Sequence, residues 1–232
     1  MTSPSNSLRR ARPLLGTLVE IRVEAGGAGA LDAAFAAVAK VHALMSAQDP
    51  ASDVGRLNRA RSGEAVVLHS WTRRVMRRAR EISEATEGLF DCYALGRRRL
   101  SLDGIAKGFA VDQAVASLRA AGVTWGTVNA GGDLRVFGSR PEPVHVRDAE
   151  GRLRSIGALQ EAAIATSGSA AIVDPRSGKK CAAGAAVSVI ARDCMTADAL
   201  TKVVALDPAG SARVLARFGA RAIVQPALRS AA

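Results

Sequence analysis

Residues 102–138, LDGIAKGFAVDQAVASLRAAGVTWGTVNAGGDLRVFG, constrain the fold more than any other part of the chain. They specify a helix, a stop and a hairpin without interruption. Val111, Ala114, Val115 and Leu118 follow the i, i+3, i+4, i+7 spacing of a one-sided apolar stripe, which predicts a helix. Gly122 falls where a left-handed residue ends such a helix. Residues 124–130 read as a strand, Gly131-Gly132-Asp133 as a tight turn, and 134–137 as the returning strand. Glycines, one lysine and several carboxylates gather at the two ends of this unit. Helix N-terminal amides and close backbone approach at glycine both suit a phosphorylated ligand.

The remaining chain carries enough apolar residues to bury such a unit. Its 232 residues, 48% of them apolar, make one large domain or two small ones. Aromatic residues are only 3%, so Ala, Val, Leu and Ile must build the core. A net charge of +11 and the run RRVMRRAR at 73–80 invite a nucleic-acid reading. However, the arginines are spread along the chain, and no RNP aromatic pair, zinc-finger spacing or helix-turn-helix accompanies them. A solvated helix face explains the run, and no nucleic-acid partner is expected. Cys92, Cys181 and Cys194 lack metal-site spacing and read as reduced thiols. No run reaches ~18 apolar residues, so no membrane span is expected. The N-terminus has a basic patch without an apolar h-region, which makes the cytoplasm the default location.

Residues 14–23 read as one strand, followed by a glycine loop at 26–29. Residues 31–45 predict a helix with Leu31, Phe35, Val38, Val41 and Met45 on one side. Residues 48–55 read as loop, on the turn chemistry of Asp49-Pro50 and Ser52-Asp53. A helix over 71–86 ends at Gly88. Strands at 164–169, 187–191 and 222–224 follow, with a helix over 197–205 capped by Thr196 and a short helix over 214–218. Helices and strands mix without a βαβ rhythm, so the fold class is α+β.

Several residues carry candidate chemistry. Asp198 sits one turn into its helix, with Thr201 at i+3 and Lys202 at i+4. A carboxylate and a hydroxyl on one helical face offer hard oxygen ligands to Mg²⁺. The same spacing equally makes Asp198 and Lys202 an intrahelical ion pair of about 0.3–0.5 kcal/mol. Gly104-Ile105-Ala106-Lys107-Gly108 precedes a helix without being a P-loop or GxGxxG, and Lys107 alone reads equally as a surface lysine. His42, His69 and His145 read as structural, and no Ser/His/Asp triad is present.

Eight segments stand in a fixed order: LLGTLVEI (14–21), MSAQDPASDVGRLN (45–58), ATEGLFD (85–91), GIAKGFAVD (104–112), VNAGGDLRVFG (128–138), ATSG (165–168), VDPRSG (173–178) and VSVIARDCMTADAL (187–200). Together they resemble the FAD:protein FMN transferases, the ApbE family, from residue 14 to about 224. The resemblance implies a T-fold-like architecture of mainly antiparallel sheets packed with helices. It also implies a single domain over 1–232, with two lobes around a central FAD site. The implied activity is Mg²⁺-dependent transfer of FMN from FAD to a threonine of a target flavoprotein, with AMP released.

By position, Asp198 and Lys107 are the implied catalytic residues. Gly104 (through its carbonyl), Asp198 and Thr201 are the implied metal ligands, and Leu15, Gln48, Leu89, Asp91, Lys107 and Ile172 the implied FAD contacts. The chain departs from the family pattern at four places. Lys202 stands where the family has threonine, Ser101 where an acidic FAD contact is common, Asp103 where a small residue is usual, and Ala171 where a histidine is usual. The segments after Asp91 and between Gly168 and Val173 are short. These departures carry two alternatives, a non-catalytic flavin-binding protein and an FAD pyrophosphatase that uses water as acceptor. Export stays open, since many members of the family it resembles are exported.

Overall fold

A computed structural model describes residues 7–96, 99–147, 151–168, 172–181 and 185–226. Its framework is a seven-stranded sheet whose neighbours are all antiparallel. The strands are β1 (Ser7–Leu14), β2 (Thr17–Glu24), β3 (Gly126–Ala130), β4 (Asp133–Phe137), β7 (Ala162–Gly168), β8 (Ala185–Ala191) and β9 (Arg221–Pro226), in that spatial order. A separate hairpin, β5 (Glu142–Arg147) and β6 (Leu153–Leu159), is inserted between β4 and β7.

Alternation along the strands decides which face each residue serves. Val19, Ile21, Val128, Ala163, Ala165, Val187 and Val189 are buried in the helix-side core. Ile164, one step out of phase, instead joins Val144 and Val146 of the β5–β6 hairpin. The sheet is thus covered by helices on one face and partly by that hairpin on the other.

The helices are α1 (Leu31–Met45), α2 (Asp53–Arg59), α3 (Ser70–Ala85), α4 (Ala106–Ala120), α5 (Cys194–Leu206) and α6 (Ala212–Arg217). The α4 stripe is buried as its spacing requires, and Gly122 follows the helix at φ +83°. The α+β class and the mainly antiparallel sheets accord with the expectation.

Three local readings are corrected, and one helix bears on a fourth. The expected strand 14–23 is two strands, joined at Leu15 (φ 56°) and Gly16 (φ 69°) with Leu14 opposite Thr17. Both turn residues have positive φ, as a type I′ hairpin demands. Loop 48–55 contains the start of α2, because the Ser52 side chain caps that helix by accepting from Gly55 N at 2.8 Å. Thr196 is not the cap of α5; Asp193 is, accepting from Thr196 N at 2.8 Å, and the helix begins at Cys194. Finally, residues Ala25–Met45 form a 21-residue helical run long and apolar enough by composition to cross a membrane. The reading of uninterrupted apolar residues overlooked it because Asp32, Lys40 and His42 break the run. In the fold, Leu31, Phe35, Val38, Val41 and Met45 belong to the core.

The tightest join in the helix layer lies between α4 and α5. A Cβ at Gly108 would stand 2.2 Å from Cys194 O and 2.9 Å from Asp198 Cβ. At Gly104 a Cβ would meet only ordinary contacts, 3.4 Å from Phe90 and 3.6 Å from Lys202 Cε. Gly108→Ala should therefore lower unfolding stability by roughly 1–3 kcal/mol through overpacking. Gly104→Ala should leave it nearly unchanged, and urea denaturation of the two variants checks the contrast.

Candidate active site

The α4–α5 join brings together five side chains from three elements. Lys107 stands in the first turn of α4, Asp133 opens β4, and Asp198, Thr201 and Lys202 follow one another along α5. Asp133 faces the helices because it lies opposite Ala130, a core residue, and cross-strand partners share a face. Arg135, two residues on, points the same way and pairs with Asp112 of α4. Asp112 in turn accepts from Cys194 N at 3.0 Å and Met195 N at 2.9 Å. It thereby satisfies the otherwise orphaned first turn of α5 and fixes where that helix starts.

Asp198 is 1% exposed and fully engaged. Its Oδ2 accepts from Gly108 N at 3.1 Å, and its Oδ1 pairs with Lys202 Nζ. The Asp198 carbonyl oxygen accepts from Lys202 Nζ at 2.9 Å and from Thr201 Oγ1 at 2.7 Å. Thr201 is wholly buried, and its hydroxyl also meets Ser167 Oγ at 2.8 Å. Lys107 Nζ lies 3.0 Å from Asp133 Oδ2, a charge contact without hydrogen-bond alignment. Two buried carboxylates are thus matched by two partly exposed ammonium groups.

Burial and the neighbouring charge of Asp198 push the Asp133 carboxyl up to about 7, against the pull of Lys107 and Lys202. Burial draws Lys107 down, but Asp133 and Asp198 outweigh it and hold the ammonium above its ordinary range. Burial, reinforced by Asp91, pushes the Cys92 thiol beside the cleft up to about 12, which favours its protonated form.

Two clefts open above this cluster. One, of about 450 Å³, is bordered by Leu89, Asp91, Gly104, Ile172 and Lys202. The other, of about 420 Å³, is bordered by Leu15, His42, Met45 and Gln48. Asp103 and Lys107 border both. The structure therefore brings every expected FAD contact to one of two clefts that meet at Lys107. Ser101 also borders the first cleft, and its hydroxyl accepts from Asp103 N at 3.2 Å. Ala171 lies outside the described residues.

The expected metal set is not assembled. Each carboxylate oxygen of Asp198 already has a protein donor, the Thr201 hydroxyl is turned to Ser167 and the Asp198 carbonyl, and Lys202 holds a positive charge at Asp198. Among the described residues no cluster of three His, Cys, Asp or Glu side chains is arranged to hold an ion. These donors do not fit Mg²⁺, whose octahedral shell requires open oxygens. Sequence reasoning missed Asp133, although its place across the Gly131-Gly132 turn from an inward residue was a usable signal.

The ApbE family model matches residues 15–97 and 94–224. No curated protein matches the chain. Among solved structures, the flavin transferase ApbE from Vibrio cholerae superposes with a TM-score of 0.83 at 20% identity, covering 95% of this chain and 94% of that one. The apo flavinyl transferase ApbE from Pseudomonas stutzeri gives 0.81 at 18% identity, with 96% and 95% covered. An ApbE protein from Thermotoga maritima gives 0.80 at 22% identity, with 96% and 97% covered.

Protonation of Asp133 should be visible in stability. Its carboxyl takes a proton more readily in the fold than at its ordinary value of 3.8. The stability it contributes is full below about pH 4 and is lost as pH rises through about 7. Asp133→Asn should therefore make the decline of Tm between those limits shallower. Asp112, also shifted upward by burial, keeps some of the slope. A parallel offset of the two Tm curves across the range would overturn the assignment.

Proposed function

The chain belongs to the ApbE family, and on that premise we propose that it transfers FMN from FAD to a threonine hydroxyl of a flavoprotein partner and releases AMP. One observation carries the reading: the two clefts meet at Lys107, with Lys202 in the wall of one of them. FAD has that form, two nucleotide halves joined by a pyrophosphate, and the shared lysine suits the anionic joint.

In this reading the threonine oxygen attacks the flavin-side phosphorus while the P–O bond to the adenylate breaks. The FAD dianion and a neutral hydroxyl give a phosphodiester monoanion, an AMP dianion and one proton, which leaves to water in the open cleft. Phosphoryl transfer of this kind depends on positioning and on neutralising oxygens that gain charge. Lys107, held by Asp133, and Lys202, held by Asp198, supply fixed positive charge for those oxygens. Magnesium has no step here, because the Asp198 carboxylate and the Thr201 hydroxyl are already bonded within the protein.

The test incubates the purified chain with FAD and a flavoprotein domain bearing an exposed threonine, followed by mass spectrometry of the domain and chromatography of nucleotides. The expected result is an FMN adduct with equimolar AMP. Lys107→Ala should reduce its rate by about 10²-fold or more, the usual scale for a lost electrostatic stabiliser. AMP with free FMN would indicate pyrophosphatase action instead, and quenched FAD fluorescence without AMP would indicate a flavin-binding protein.

A further inference from the structure

We infer that the Lys202 ammonium is a built-in cation that takes the place of a divalent ion at Asp198, so that this site engages its phosphates without a bound metal. The inference rests on the flavin reading for the identity of the ligand, and on the chain's own geometry for the cation.

Lys202 Nζ is held by Asp198 Oδ1 and by the Asp198 carbonyl oxygen at 2.9 Å. These are two hard oxygens of the kind a magnesium ion selects. The lysine stem runs past Gly104, where a Cβ would lie 3.6 Å from Cε and 3.9 Å from Cδ. The ammonium thus sits between α5 and the loop that opens α4. An ammonium has three donors. Two are spent on Asp198, and the third remains for the cleft that Lys202 borders, where a phosphate oxygen would accept it.

The adjacent hydroxyl does not compete for this place. Thr201 is one residue, about 100°, around the helix from Lys202, and it is sealed against Ser167. The other oxygen of Asp198 is pinned by Gly108 N at 3.1 Å. Lys202 pairs with Asp198, and Lys107 lies against Asp133. A divalent ion at Asp198 Oδ1 would have to displace the lysine from that oxygen.

The experiment has a metal arm and a flavin arm. In the first, Mn²⁺ is titrated into protein free of FAD and followed by the EPR signal of the free ion. Wild type should leave millimolar Mn²⁺ unbound. Lys202→Thr, which frees Asp198 and sets a hydroxyl at i+4, should gain a site that the additional change Asp198→Asn removes. In the second arm, FAD affinity is read from flavin fluorescence in EDTA and in millimolar Mg²⁺. Wild type should show the same affinity in both within about twofold. Lys202→Thr should bind about tenfold more weakly in EDTA, a loss of about 1.4 kcal/mol, and recover with Mg²⁺.

Stoichiometric, Asp198-dependent Mn²⁺ binding by wild type would overturn the inference, as would a tenfold gain in wild-type FAD affinity on adding Mg²⁺. Should Lys202→Thr fail to fold by circular dichroism, both wild-type measurements still decide the matter. Absence of FAD binding in every condition would instead defeat the flavin reading, while the Mn²⁺ arm would still report on the cation.

Discussion

The site depends on one close approach, that of α4 and α5 at Gly108. Without a side chain there, the first turn of α4 rests against the Cys194 carbonyl, and Gly108 N reaches the Asp198 carboxylate. The clustering of the charged side chains follows from that contact. It lays Lys107 and Lys202 near each other, each over its own aspartate, and it brings Asp112 to the start of α5. Helix packing usually separates axes by 8–10 Å according to the side chains between them; here that spacing is set by the missing one.

Burying Asp133 and Asp198 beneath the clefts carries a desolvation cost that only partnered charges offset. Lys202 meets that requirement at Asp198, whereas at Asp133 burial still outweighs Lys107; both pairs also fix the lysine stems, which otherwise sample many rotamers. A lysine tethered by a buried carboxylate presents its charge to a ligand with less loss of conformational freedom. In the proposed reaction these carboxylates act through the lysines they hold.

Much of the helix and hairpin pattern was legible because its signals are local. The α4 stripe, Gly122 as terminator and the Gly131-Gly132 turn each depend on a few neighbouring residues, and the structure reproduces them. What escaped reading depends on context. β1 is an Arg-rich strand at one end of the sheet, with little apolar alternation to announce it. Ser52 looked like turn chemistry until a helix followed it. At the site, the i, i+4 spacing of Asp198 and Lys202 was visible, including the ion pair it forms, but not its burial, which makes the pair matter. Asp133 could not be linked to Lys107 from spacing alone, because β4 and α4 meet only in the folded chain.

The hairpin between β1 and β2 has a consequence for how this protein trades rigidity against economy of sequence. Leu15 occupies a left-handed position, φ 56°, that favours glycine or asparagine and costs a branched apolar residue of order 1 kcal/mol or more. Its side chain nevertheless packs against the core and borders the second cleft. The turn thus spends local stability to hold one apolar wall in place. Asn-Gly or Gly-Gly at 15–16 would make a better hairpin and a blunter pocket, so stability and pocket shape oppose each other at this corner of the molecule.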